Sequence, residues 1–284
     1  MNSEIMKGEM VSQGKTKRVY STRFHPSRVY LERKAVLTAG DGLRSTGIKG
    51  IDISTTTASC NIFKLLERNG FQTHFIERVS DNTILAKRLE VMPAEFVARG
   101  IAAGSFLKRN PYMQKGARFP KPVVEAFLKD DGRHDPLMHL NSRTGKIDLY
   151  RADVPLEDEA AKIGELSPSD NMLLPQSLAD IERIKELVSE IFCVVRSAFD
   201  HFGILLVDFK VEGGYDMDGN FRIGDEINGD CCRLWIAGDP ECAVDKDCFR
   251  RIPFEKGRPT PAECATIAAK YEFVAKITSH FEEM

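Results

Sequence analysis

Apolar and polar positions alternate most regularly over 204–212, where Leu206, Asp208, Lys210 and Glu212 take one parity and Val207, Phe209 and Val211 the other. A period of two belongs to a strand whose successive side chains point to opposite faces. The spacing predicts a strand carrying Asp208, Lys210 and Glu212 on one side. A loop at 216–220 and a return strand over 221–227 make the stretch a hairpin. Asp218-Gly219 suits a two-residue type I′ turn, since both central residues need positive φ. With that pair at the tip, Met217 faces Asn220 and Glu212 faces Asp225.

Elsewhere the period changes. Leu178, Ile181, Ile184, Leu187, Val188, Ile191, Val195 and Phe199 keep helical spacing, with Ser177 and Asp180 resembling a capping box and Gly203 as the stop. A second helix is predicted over 54–68, with Ile62, Leu65 and Leu66 on one face and Gly70 ending it. The tail from Pro259 carries Ile267, Tyr271, Val274 and Ile277 as a C-terminal docking helix. Alternation around Gly14 and Pro26 predicts antiparallel strands over 11–37, followed by a loop at 38–42. Further strands are expected at 72–78, 86–92 and 123–131, with Pro93 marking a change of element. The polar, weakly periodic stretch 139–175 reads as a surface excursion. These elements give an α+β chain in two domains: a small antiparallel β domain over 1–93, and a larger α+β domain over 94–284.

Composition narrows the class. At 284 residues with 42% hydrophobic content the chain can bury a substantial core. A net charge of −2 and a pI near 6.3 give no global basic field for nucleic acid or an anionic membrane. The charged start, Met-Asn-Ser-Glu-Ile-Met-Lys-Gly-Glu, lacks the apolar core of a signal peptide, and no apolar run reaches the ~20 residues of a membrane span. A cytoplasmic location is the expectation. Seven cysteines, with no Cys-x-x-Cys, read as reduced thiols and not as a disulfide framework or zinc site.

Three stretches carry candidate chemistry. Opposed carboxylates at Glu212 and Asp225 would have Cβ atoms roughly 5 Å apart and repel unless a cation lies between them. Mg²⁺ takes carboxylate oxygens and keeps nucleotide phosphates as further ligands, which points to ATP. The alternative is a solvated hairpin face in which Gly213-Gly214 is a bulge that breaks the register. The turn at 13–17 places Lys15 and Lys17 where a strand pair could lie over a nucleotide; the plainer reading is an exposed turn. Over 96–109, small residues separate Arg99 from Ser105. A guanidinium fork and a hydroxyl are parts of a monophosphate clamp, while close packing with Arg99 in a structural pair accounts for the same residues.

Six separated stretches, Gly14-Lys-Thr-Lys-Arg-Val-Tyr20, Arg99-Gly-Ile-Ala-Ala-Gly-Ser-Phe-Leu-Lys-Arg109, Val123-Val-Glu-Ala-Phe-Leu-Lys-Asp-Asp131, Val207-Asp-Phe-Lys-Val-Glu212, Gly224-Asp-Glu226 and Arg233-Leu-Trp235, together resemble the SAICAR synthetase family over nearly the whole chain. The resemblance implies a two-domain α+β fold with the ATP site in the cleft between the domains. It implies an ATP- and Mg²⁺-dependent ligase of purine biosynthesis that joins the carboxylate of carboxyaminoimidazole ribotide to the amine of L-aspartate. By the same resemblance Lys15 and Lys17 lie over the ATP phosphates, and Glu212 and Asp225 are the metal-site carboxylates. Arg99, Ser105 and Arg233 contact the ribotide phosphate, Asp208 and Lys210 lie near the imidazole and its carboxylate, and Lys129 lies near the reacting phosphoryl group. Small molecules are the implied partners, and a homo-oligomer is left open.

The chain departs from the family pattern at Arg99-Gly100, often Arg-Asn, at Ile51-Asp-Ile-Ser-Thr-Thr-Thr57, and at Asn228-Gly229-Asp230, commonly Ser-Pro-Asp. These departures bear on the amino-acid pocket more than on the ATP site. Two rival functions follow: a paralogous ligase or phosphotransferase acting on another acid or amine, and a nucleotide sensor without catalysis. Retention of Lys129, Lys210, Glu212 and Asp225 ranks the sensor last. The role of Cys231 and Cys232 is not assigned by sequence.

Overall fold

The computed structural model describes residues 7–40, 42–253 and 257–284. Most of the N-terminal stretch read above for leader character, and Asp41 of the 38–42 loop, lie outside the described residues. The chain opens with antiparallel strands β1 (Lys7–Gln13), β2 (Lys17–Thr22) and β3 (Arg28–Arg33), then a separate ribbon of β4 (Val36–Ala39) and β5 (Arg44–Gly47). Helix α1 (Ile51–Arg68) follows, and β6 (Phe75–Ser80) with β7 (Thr83–Lys87) completes a five-stranded sheet of order β1-β2-β3-β7-β6. Next come β8 (Glu90–Ile101), α2 (Phe106–Arg109), β9 (Arg118–Leu128), β10 (Leu137–Leu140), β11 (Ile147–Tyr150), β12 (Lys162–Leu166) and α3 (Leu178–Asp200). The chain ends with β13 (Ile204–Tyr215), β14 (Phe221–Gly224), β15 (Cys232–Ile236), α4 (Asp247–Arg250) and α5 (Pro261–Ser279).

The second sheet has eight strands, with path β12-β11-β10-β9-β8-β13-β14 and β15 also on β13. Helix α3 covers its back. The Ser177 hydroxyl accepts from the Asp180 N–H at 3.1 Å, and Ile181, Ile184, Val188, Ile191, Val195 and Phe199 are buried as their spacing predicts. Each such side chain contributes roughly 1.5–3 kcal/mol on burial. Phe192 meets Phe209 of β13 edge-on at 5.3 Å between ring centroids. Helix α5 starts from a capping box between Thr260 and Glu263 and docks along α1, where Asn61 donates to Thr278 at 3.3 Å.

Several expectations are corrected. Helix α1 begins at Ile51, three residues before the predicted start. The 86–92 strand is two elements, because β7 ends at Lys87 and β8 starts at Glu90. Pro93 does not change the element: β8 runs through it, so residue 93 falls inside a strand. Proline fits there because the pairing of β13 with β8 shifts between Glu212 and Gly214, and an irregular ladder position spares a proline its missing N–H. The stretch 139–175 is no excursion, since β11, β12 and part of β10 lie in it and extend the large sheet, with Leu140, Ile147 and Leu149 in the core. Its strands are only four or five residues long, too short to show a period.

The hairpin register is also one residue away from that expected. Glu212 pairs with Gly224, and Tyr215 with Phe221. The tip is a three-residue loop in place of a type I′ pair: the Asp216 and Asn220 backbones bond at 3.0 Å, and the Asp216 carboxylate accepts from the Asp218 and Asn220 N–H groups at 3.0 and 2.9 Å. Only Gly219 takes positive φ, at 78°, as in a type I turn closed by a left-handed glycine. Asp225 therefore lies past the end of β14, itself at φ 58°.

Candidate active site

Strand β13 is flanked on one side by β8 along most of its length, and on the other by β15 and then β14 in turn. Between those two partners the chain leaves the sheet over 225–231, beside the middle of β13, where the Lys210 N–H donates to the Cys231 carbonyl at 2.9 Å. This exit brings Asp225, Glu226 and Asp230 against the face that carries Asp208, Lys210 and Glu212. That face forms one wall of a cleft of about 730 Å³, whose far side includes Gly14 and Lys15 of the small sheet's first turn. The alternation predicted for β13 holds from Asp208 to Glu212 but not before it: the ladder to β15 shifts between Leu206 and Asp208, so Leu206 packs in the main core with Phe209 and Val211, and Val207 joins a separate cluster with Trp235. Strand β8 repeats the regular part: Glu95, Val97 and Arg99 line the same cleft opposite Glu212, Lys210 and Asp208.

At one end, Arg99 donates from Nε to Glu125 at 2.6 Å, from Nη1 to Asp208 at 3.1 Å, and from Nη2 to the Ser105 hydroxyl at 3.5 Å. Arg233 donates from Nη1 to the same Asp208 oxygen and from Nε to Asp247 at 2.8 Å. Gly104 has φ 58°, and a Cβ there would come within 2.9 Å of the Arg233 guanidinium, so glycine leaves room for that arginine. The structure thus brings Arg99, Ser105, Asp208 and Arg233 together, and Arg99 is structurally paired at the same time.

At the middle, Lys210 donates to Glu95 at 2.8 Å and to Glu212 at 3.1 Å, and Lys129 donates to the other Glu212 oxygen. Burial alone would lower the Lys210 pKa, but the Glu95 and Glu212 carboxylates outweigh it and hold the ammonium charged. For Glu212 burial pulls upward, and Lys210 and Lys129 bring it below the ordinary glutamate value. Glu95 is pushed up, chiefly by burial.

At the far end, Lys17 donates to Asp225 and lies 3.5 Å from Glu226. Lys17 points beneath the cleft, into a small recess shared with Arg33 and Asn228. Arg33, 5% exposed, donates to both Glu226 oxygens at 3.1 and 2.8 Å and to Asp230, which also accepts from the Tyr271 hydroxyl at 2.7 Å. Lys15 stands at the mouth, 3.3 Å from Asp131.

Glu125, Glu95, Arg33, Glu226 and Asp230 were missed by the sequence reading. Glu125 was findable, because Val124, Ala126 and Leu128 pack on the core while Glu125 shares the opposite parity with Lys129. Arg33 carries no such signal: its partners lie 193 and 197 residues away. Cys231 lines the cleft and its thiol, pushed up by burial, donates to the Glu226 carbonyl at 3.3 Å; Cys232 is buried in the core.

Among the described residues no group of three or more His, Cys, Asp or Glu is placed to hold a metal. Glu212 and Asp225 line one cleft, and each is neutralised by a lysine. Two carboxylates in an open cleft fit Mg²⁺ bound mainly through substrate phosphates and water, and not an all-protein cage.

The sequence model of SAICAR synthetase matches residues 10–259. The chain is 30% identical over 277 residues to the phosphoribosylaminoimidazole-succinocarboxamide synthase of Chloroflexus aurantiacus, covering 96% of this chain and 97% of that one. It is 32% identical over 249 residues to a bifunctional purine synthesis protein of Dictyostelium discoideum, covering 88% of this chain and spanning only 23% of that longer one. A solved SAICAR synthetase in complex with ADP superposes with a TM-score of 0.73 at 29% identity, over 94% of this chain and 97% of that one. With a family match over most of its length, and the same fold around a charged cleft, the chain belongs to the SAICAR synthetase family.

Proposed function

We propose that this cleft joins the carboxylate of 5-amino-1-(5-phosphoribosyl)imidazole-4-carboxylate to the amine of L-aspartate at the expense of ATP. The observation that carries the reading is the row Asp208, Lys210, Glu212 on β13, facing Arg99 and Glu95 on β8, with Lys15 across the cleft and Lys17 behind it.

A carboxylate oxygen is a poor leaving group and must be activated before an amine can displace it. A ribotide carboxylate oxygen attacks the γ-phosphorus of ATP, the bond to ADP breaks, and an acyl phosphate forms. The aspartate amine then attacks the acyl carbon, inorganic phosphate leaves with the former carboxylate oxygen, and the nitrogen sheds its proton to solvent. In this reading Arg99, Ser105 and Arg233 hold the ribotide phosphate, and Asp208 with Lys210 orients the imidazole and its carboxylate. Lys129 stands beside the transferring phosphoryl group, where a fixed cation stabilises developing charge. Lys15 binds the nucleotide phosphates from across the cleft, and Lys17, in the recess behind it, would reach them only on leaving Asp225. Mg²⁺, held by Glu212 and Asp225, would supply further neutralisation of phosphate charge.

The test follows the oxygen. With ribotide labelled by ¹⁸O in its carboxylate, ATP and aspartate, the released phosphate should carry one ¹⁸O. Phosphate without the label would rule out carboxylate activation on this substrate, and Lys129→Met should abolish transfer while leaving nucleotide binding within roughly tenfold.

A further inference from the structure

Almost every cation lining the cleft is already held by a carboxylate: Lys15, Lys129, Lys210, Arg99 and Arg233 as described, and Arg250 by Asp247 at 2.7 Å. Lys246 is the exception. It lines the same cleft, yet among the described residues its ammonium makes no hydrogen bond or ion pair.

Its position is nevertheless fixed. The Lys246 N–H donates to the Gly229 carbonyl at 2.9 Å. Before it, the buried Asp245 carboxylate accepts from the Leu234 and Asp247 N–H groups, both at 2.7 Å. After it, Asp247 is committed to Arg233 and Arg250. Both flanking acids are therefore spent on other groups. Burial lowers the Lys246 pKa, with Asp230 opposing and Arg250 adding to the effect. A part-buried ammonium without a counter-ion is costly, and groups held in that condition in a cleft are where a ligand's charge is expected.

We propose that Lys246 receives a carboxylate of the acceptor amino acid and so sets the preference for an acidic amine, with Arg250, one helical turn further on, adding positive charge at the same wall. The proposal rests on the ligase reading above. There the nucleotide phosphates fall to Lys15 and Lys17 and the ribotide phosphate to Arg99, Ser105 and Arg233. The two carboxylates of aspartate are the anions still without a cation.

The test uses the full chain and its Lys246→Met and Lys246→Arg variants. In Lys246→Met the KM for L-aspartate should rise about tenfold or more while the KM values for ribotide and ATP stay within about twofold, and Lys246→Arg should recover most of the loss. Succinate, a dicarboxylate without the amine, should bind the ribotide-loaded parent by calorimetry and fail to bind Lys246→Met. The melting temperature of Lys246→Met should equal or exceed the parent's, because an unpaired charge has been removed. An unchanged aspartate KM with an active parent overturns the assignment alone, and so does a rise confined to the ribotide KM. A lower melting temperature with all three substrates weakened makes Lys246 structural. A parent that does not turn over aspartate overturns the ligase reading and this assignment with it.

Discussion

Lys17, on the second strand of the small sheet, donates to Asp225, which lies beyond the end of β14 in the large one. Asp225 is thus already neutralised by a lysine before any cation reaches it. Burial works against the lysine's charge, and Asp225 with Glu226 holds its pKa above the ordinary value. Asp225→Asn should leave the circular dichroism unchanged and lower turnover about a hundredfold or more, with a raised magnesium requirement. Full turnover at saturating magnesium would remove Asp225 from the metal site.

Arg99→Lys keeps a positive charge but loses the planar fork that reaches Glu125, Asp208 and Ser105 at once. The ribotide KM should rise about tenfold with that for ATP nearly unchanged. An equal loss for both substrates would mark Arg99 as structural only.

Glu125 neutralises two arginines, since Arg109, 1% exposed, donates to it from Nε at 3.0 Å and from Nη2 at 2.7 and 2.8 Å. Glu125→Gln would leave both guanidinium groups without their shared carboxylate. Removing one partner from a buried pair costs about 3–5 kcal/mol, so urea unfolding should shift to markedly lower midpoints. A shift below about 1 kcal/mol, the scale of an exposed pair, would contradict the buried arrangement.

His74 is buried, stacks edge-on against Phe63, and its Nε2 has no hydrogen-bond partner among the described residues. Burial pushes its pKa from 6.5 down to about 4, with Asp225 opposing and Lys17 adding to the shift. Between those values the unfolded chain takes up a proton that the folded chain refuses. Stability should therefore hold above pH 6.5 and fall on acidification towards pH 4, by on the order of 3 kcal/mol. In His74→Phe the slope across that window should flatten, as read from unfolding midpoints at each pH; an unaltered slope would place the titrating group elsewhere.

The parts of this molecule that were legible in the sequence are those whose signal is local. The parity of 208–212 located the charged wall of the cleft, and the helical spacing from Leu178 to Phe199 located the helix behind it. The hairpin register was not legible. It depends on the Asp216 side chain capping its own loop, and two turn types compete for Asp218-Gly219 on equal local terms. Arg33 was hidden for a different reason: a buried arginine on a strand is written like an exposed one until its partners arrive from the far end of the chain.

The unbroken pairing of β13 with β8 from Asp208 to Glu212 sets a length. Asp208 and Glu212 are four residues apart on one extended strand, which at about 3.3 Å per residue separates them by roughly 13 Å. Asp208, which holds Arg99 and Arg233, stands at one end of that rod and Glu212 at the other, so the strand acts as a ruler for whatever spans it. In the proposed reading, the ribotide would reach from its phosphate to its reacting carboxylate within that interval. Shortening β13 by one residue would remove a quarter of the ruler and turn the remaining graduations to the opposite face.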